Sequence, residues 1–213
     1  MSLTPSEEFV SRLCTHTFLS PWTLANPRGK DARKELCDLL IVCDPDVVIV
    51  SVKEIQHKAT DDYETGAQRW KARAIDASAK QIYGAERELS RIDRVTAKDG
   101  SVWLHLPPAN TRRIHRIAVA FGSNGAIPIA DGDLGKGFVH VFDETDTSIV
   151  LAELDTITDF VEFLIRTEAF VEKTQTITSG TKDLLGLYLH TGRQYPDDAD
   201  LLILTDDIWC VFR

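Results

Sequence analysis

A small set of polar side chains in apolar surroundings carries the chemical interest of this chain. From Glu35 to Lys53 it reads ELCDLLIVCDPDVVIVSVK, with two apolar runs, Leu36 to Cys43 and Val47 to Val52, flanking Asp44-Pro45-Asp46. Such runs bounded by turn residues predict a β-hairpin whose strands are buried on both faces. Asp38 interrupts the first run, and Ser51 and Lys53 close the second. An unpaired charge inside an apolar sheet is costly, so these groups need partners. Side chains two apart share a strand face, which puts Ser51 with Lys53. Asp38 joins them only if the connecting loop has an even number of residues. A loop of Asp44 to Val47 pairs Cys43 with Val48 and sets Asp38 opposite Lys53, whereas a three-residue loop sends Asp38 to the other face. A shared face supports two readings. One is a buried salt bridge kept for specificity. The other is half of a metal-dependent hydrolytic site, with Asp38 holding a divalent cation and Lys53 steadying the attacking water or the charge developing at phosphorus.

Two further polar residues lie on predicted helices. Residues 5–17, PSEEFVSRLCTHT, open with Pro5 and two acids, as a helix N-terminus does, and Phe9, Val10, Leu13 and Cys14 form one apolar stripe. Glu7 lies near the edge of that stripe and Glu8 almost opposite it. Residues 67–94, AQRWKARAIDASAKQIYGAERELSRIDR, predict a long helix that turns Trp70, Ala74, Ala77, Ala85, Leu89 and Ile92 toward the sheet. Gln81 falls inside that face. A long amide there needs hydrogen-bond partners; the polar groups of the hairpin and a backbone carbonyl are equal candidates.

An apolar strand carrying Asp, a hairpin, and a second strand ending in acid-x-Lys form the pattern of the PD-(D/E)XK nuclease superfamily. This chain resembles that superfamily over at least residues 3–121. Asp38 and Lys53 match the pattern, and Ser51 stands where the family usually has Glu, Asp or Gln. A helix precedes the hairpin, and a long basic helix and another apolar strand follow it; the later segments are similar to uncharacterised bacterial members. The resemblance implies a restriction-endonuclease-like α/β fold, a mixed sheet flanked by helices. It implies Mg²⁺- or Mn²⁺-dependent hydrolysis of nucleic-acid phosphodiester bonds, DNA foremost, in bacterial defence, repair or mobile-element biology. Asp38 and Glu7 are then the metal ligands, Lys53 orients the water, and Gln81 matches a Gln that some members place beside the metal. Ser51 removes a usual ligand and keeps open a catalytically inactive relative that binds nucleic acid or protein. A purely structural ion pair is the third reading.

The elements that position these residues fit one domain, or one with a small appendage, in a chain of 213 residues with 43% hydrophobic and 27% charged composition. The expected division is a nuclease-like core over 1–137 and a C-terminal α/β extension over 138–213 packed on that core. A net charge of −9 opposes a broad electrostatic footprint for nucleic acid. Local basic groups, Arg28, Lys30, Arg33 and Lys34 before the hairpin and Arg112, Arg113 and Arg116 later, are candidates for gripping phosphates. No apolar run approaches the roughly 20 residues that span a bilayer, and no basic n-region with an apolar h-region opens the chain, so a cytoplasmic protein without membrane contact is expected. Cys14, Cys37, Cys43 and Cys210 lack CxxC spacing and read as reduced thiols. The glycine-rich DGDLGKG over 131–137 precedes a strand, 138–142, and reads as a turn; as a calcium loop it has Phe142 where the closing Glu belongs. A helical pattern over 145–173, a linker over 174–181, a short helix over 183–189 and a strand over 199–205 complete the expectation. The apolar finish Trp209 to Arg213 suggests a shortened version of a longer layout.

Overall fold

Valine, isoleucine and leucine fill both faces of the central strands because helices cover both sides of the sheet they form. The computed structural model describes residues 3–31, 33–58, 62–100, 103–197 and 200–204. The chain is a mixed α/β protein. Helix α1 (Pro5–Phe18) leads into β1 (Thr23–Ala25), β2 (Leu39–Cys43) and β3 (Asp46–Glu54). Helices α2 (Tyr63–Lys71) and α3 (Ala77–Leu89) follow, and then a separate hairpin of β4 (Arg94–Thr96) and β5 (Trp103–His105). Strands β6 (Arg113–Phe121), β7 (Gly132–Asp133) and β8 (Phe138–Phe142) complete a six-stranded sheet of order β1-β2-β3-β6-β8-β7. Strands β1 to β3 run as an antiparallel meander, whereas β6 is parallel to β3 and β8 parallel to β6.

The remaining elements are α4 (Glu144–Glu153), α5 (Ile157–Val171), β9 (Gln175–Ile177), α6 (Thr181–His190) and β10 (Leu201–Ile203). One face of the sheet packs Leu39, Ile41, Val48, Val50 and Val52 against α1, α4, α5 and α6. The other packs Leu40, Val42, Val47 and Ile49 against Ala79, Ile82, Ala85 and Leu89 of α3. Two-sided burial is what continuous apolar strands require. The expected boundary at 137/138 falls between β7 and β8, which pair with each other, and β8 pairs with β6 inside the main sheet. The helical pattern of 145–173 is two helices, broken before Thr156, whose side chain accepts from Asp159 N at 3.1 Å as the N-cap of α5. Within the expected linker β9 pairs in parallel with β10. Trp209 to Arg213 and Cys210 lie outside the described residues. Cys14, Cys37 and Cys43 are free thiols. Among the described residues no helix is long and apolar enough to cross a membrane.

The long helix predicted over 67–94 is α2 and α3 joined by a single π-helical turn, Ala72–Asp76. Along its buried side Trp70, Ala74, Ser78, Ile82, Ala85 and Leu89 mark successive turns, with Ile75 and Ala79 buried beside them. Those spacings exceed 3.6 residues per turn by one residue in total, and the π turn absorbs the surplus. A wheel drawn at constant pitch therefore puts Ala77 on the inner face. In the structure Ala77 is half-buried and Ser78 takes the buried position.

Candidate active site

The hairpin turn decides whether Asp38 can meet Lys53. Cys43 pairs with Asp46 and Leu39 with Val50, so the turn is the two residues Asp44 and Pro45. The number is even, as the shared face requires. The expected four-residue loop is corrected: Cys43 does not pair with Val48, and continuing the register puts Asp38 opposite Ser51, with Lys53 its diagonal neighbour. The cause is Asp46, a residue the sequence suggests for the turn. Its buried carboxylate accepts from Arg113 Nη2 at 2.7 Å and meets His115 Nε2 at 2.8 Å, which holds Asp46 in the strand beside β6.

Gln81 of α3 comes down on this shared face and ties it together. Its Oε1 accepts from Ser51 Oγ at 3.0 Å and from Lys53 Nζ at 2.8 Å, while its Nε2 donates to Asp38 Oδ1 at 3.2 Å. Asp38 Oδ2 accepts from Val52 N at 2.5 Å and lies 3.6 Å from Lys53 Nζ. Ser51 is fully buried and the Asp38 side chain is 4% exposed, whereas the Lys53 side chain is 30% exposed. The lysine stem is packed and its ammonium reaches the rim. Gln81 itself is half-buried, with one side toward solvent.

Glu35, at the start of the hairpin sequence, completes the group. Its carboxyl is held above the usual range, first by burial and then by the nearby Asp38 carboxylate. The Arg28 guanidinium, 3.8 Å away, acts in the opposite direction. With its amide turned to satisfy both groups, Asn26 donates to Glu35 Oε1 and to Asp38 O at 3.2 Å each. Glu35 was legible only as E-x-x-D upstream of the first strand, a spacing without a strand or helix period to mark it. Glu7, the other predicted acid, caps α1: its Oε2 accepts from Thr4 N at 2.8 Å in a capping box. Its charge still bears on Glu35.

The late basic cluster serves the fold. Arg112 donates to Leu89 O at 2.6 Å and Pro107 O at 2.5 Å, closing the C-terminal end of α3. Arg113 pairs with Asp46, and Arg116 forms a fork of two 2.7 Å bonds with Glu86. Arg28 is buried and donates to Arg33 O. Lys34 faces a groove of about 820 Å³, which runs along α3 between the segment from Gly29 and the turn at Lys136. Glu35 and Gln81 line that groove, as do Lys80, Arg87 and Arg91. An added Cβ at Gly84, also in the lining, would meet nothing within 4 Å, so the floor of the groove is open there.

Among the described residues no group of three or more His, Cys, Asp or Glu side chains converges to hold a metal. The pair Asp38 and Glu35 nevertheless suits Mg²⁺, which takes one or two carboxylates and keeps several waters. No family model, curated protein or solved structure matches the chain.

Proposed function

We propose that the chain is a metal-dependent nuclease of the PD-(D/E)XK type, cutting phosphodiester bonds at Asp38 and Lys53. The observation that carries this reading is convergence: an acid, a lysine and a glutamine from three elements meet within hydrogen-bond or ion-pair distance beside an 820 Å³ groove. The order of helix, meander, helix and parallel strand around them agrees with the resemblance drawn from the sequence. That resemblance alone points to DNA and to bacterial defence, repair or mobile-element biology.

Asp38 and Glu35 are the residues that would hold the cation, with Glu7 behind them. A bound Mg²⁺ or Mn²⁺ supplies charge stabilisation at phosphorus and lowers the pKa of water. Lys53 brings a fixed positive charge to the rim, where it orients the water or stabilises the developing phosphorane. Gln81 fixes Lys53 and Asp38 through one amide, so neither has to be reordered when substrate arrives. Ser51 contributes a hydroxyl that anchors Gln81 and no ligand, so Glu35 takes over the task of the missing acid.

One observation favours an inactive relative: both Asp38 oxygens already have partners, Val52 N and Lys53 at one and Gln81 at the other. Cleavage separates the two. The nuclease reading expects the full chain to cut single- or double-stranded DNA with Mg²⁺ or Mn²⁺ and to stop with chelator. Asp38→Asn abolishes cutting and Lys53→Ala lowers it by about 10²-fold or more. No cutting of DNA or RNA with any divalent ion, alongside salt-dependent binding, establishes the inactive module.

A further inference from the structure

On the far side of Lys53 from the hairpin turn, the same helix carries a second, smaller cavity of about 230 Å³. Its walls are the strand exit, with His57 and Lys58, and one face of the helix, with Gly66, Arg69, Trp70 and Arg73. The helical four fall at i, i+3, i+4 and i+7, so they share a stripe. Among the described residues no acid lines the cavity. In a chain with 33 acids against 24 lysines and arginines that is a local inversion of charge. Asp62, at the start of the same helix, is engaged as the N-cap of α2, accepting from Thr65 N at 3.2 Å. Trp70 is buried and its indole donates to Ile55 O at 2.5 Å, which fixes the wall. His57 Nε2 is buried without a hydrogen-bond partner among the described residues.

The cavity is below the roughly 300 Å³ at which pockets for whole small molecules begin, so it suits a single anionic group. Two guanidinium forks, an ammonium and an imidazole are donors only or donors by choice of tautomer, the complement of phosphate oxygens. Two rulers place it relative to the candidate site. Arg73 to Gln81 spans eight residues of helix, about 12 Å at about 1.5 Å per residue. Lys53 to His57 spans four residues of extended chain, about 13 Å at roughly 3.3 Å each. Either distance is about three to four steps of a stacked strand at roughly 3.4 Å per phosphate. The π turn matters here. It lets the helix slip by one residue between Arg73 and Gln81, so both point to the same side instead of nearly 80° apart.

We propose that the cavity formed by His57, Lys58, Arg69 and Arg73 is a phosphate subsite, which holds a phosphate of the strand being cut a few nucleotides from the bond at Lys53. The inference deepens the nuclease reading and rests on it for the nature of the strand. Several cations around one anionic group favour a doubly charged terminal monoester over an internal diester.

The test is calorimetric titration of the full chain, in chelator, with inorganic phosphate and with short DNA carrying either a 5′-phosphate or a 5′-hydroxyl. Wild type and Asp38→Asn bind phosphate alike. Arg69→Gln with Arg73→Gln weakens binding at least ten-fold, and Lys58→Gln weakens it less. All three positions are exposed, and circular dichroism checks that the variants stay folded. Preference for the 5′-phosphorylated strand assigns a terminal phosphate, and equal binding of both assigns an internal one. Absence of phosphate and oligonucleotide binding by wild type, or binding indifferent to all three substitutions, overturns the subsite. Phosphate binding in chelator, together with no cleavage in a separate assay supplied with Mg²⁺ or Mn²⁺, removes the nuclease reading and leaves the subsite. Cleavage with Arg69 and Arg73 irrelevant to binding does the reverse.

Discussion

At the scale of single residues, Gln81 is the member on which the others depend, because one amide serves Ser51, Lys53 and Asp38 together. Gln81→Ala leaves these buried or half-buried groups without that partner and should cost about 1–3 kcal/mol. Urea denaturation measures it, and an unchanged midpoint contradicts the role. Ser51→Glu is the companion test. Ser51 is fully buried, so a third carboxylate beside Asp38 and Glu35 should lower stability by about 2 kcal/mol or more in chelator. Mg²⁺ should restore much of it, because a cation turns the crowded acids into ligands. If the ion brings no recovery, Ser51 does not stand at a ligand position. Asp38, Lys53 and Gln81 were legible because polar residues in periodic apolar runs stand out. Glu35 was not, since it sits outside any period and acquires meaning only when the chain folds back on Asp38. The pairing partner of Asp38 was also out of reach, because Asp46 reads as a turn residue until Arg113 and His115, far along the chain, claim it for the strand.

At the scale of elements, helix type and strand face followed from the 3.6 and 2.0 periods, while breaks and joins depended on contacts between distant segments. The π turn is one such case, since the constant-pitch wheel has no way to register an inserted residue. The join between α4 and α6 is another. Asp146, near the start of α4, is buried and accepts at Oδ1 from Lys182 N, in the first turn of α6, at 2.9 Å. Burial, then the charge of Asp143, pushes its carboxyl up to about 7. A carboxyl raised in the fold favours the folded state in its protonated form. Its stabilising effect is complete below the unfolded value near 4, declines as pH rises, and is gone above about 7. Unfolding free energy of wild type should therefore fall relative to Asp146→Asn between about pH 4 and 7, by at most about 1.4 kcal/mol per pH unit. Parallel pH profiles for the two proteins contradict this.

At the scale of the whole molecule, the mixed α/β class was legible because doubly apolar strands demand helices on both sides. After residue 137, β8 joins the sheet and α4 to α6 share a core with α1, so this stretch is part of what closes the face opposite the site. The strands of the meander hold Asp38 and Lys53, α3 delivers Gln81, and the groove runs beside them. A net charge of −9, with a cavity along the same helix that no described acid lines, predicts on the proposed reading that nucleic-acid binding is local and shallow in its salt dependence instead of spread over the surface. Everything in the functional account passes through one claim, that Asp38 and Glu35 together hold a divalent cation. Anomalous diffraction from a crystal soaked in Mn²⁺ tests it most directly. The account predicts a peak within about 2.0–2.3 Å of oxygens from both carboxylates, absent in Asp38→Asn. A map without that peak, in which Asp38 keeps its bonds to Val52 N and Gln81 Nε2, contradicts it.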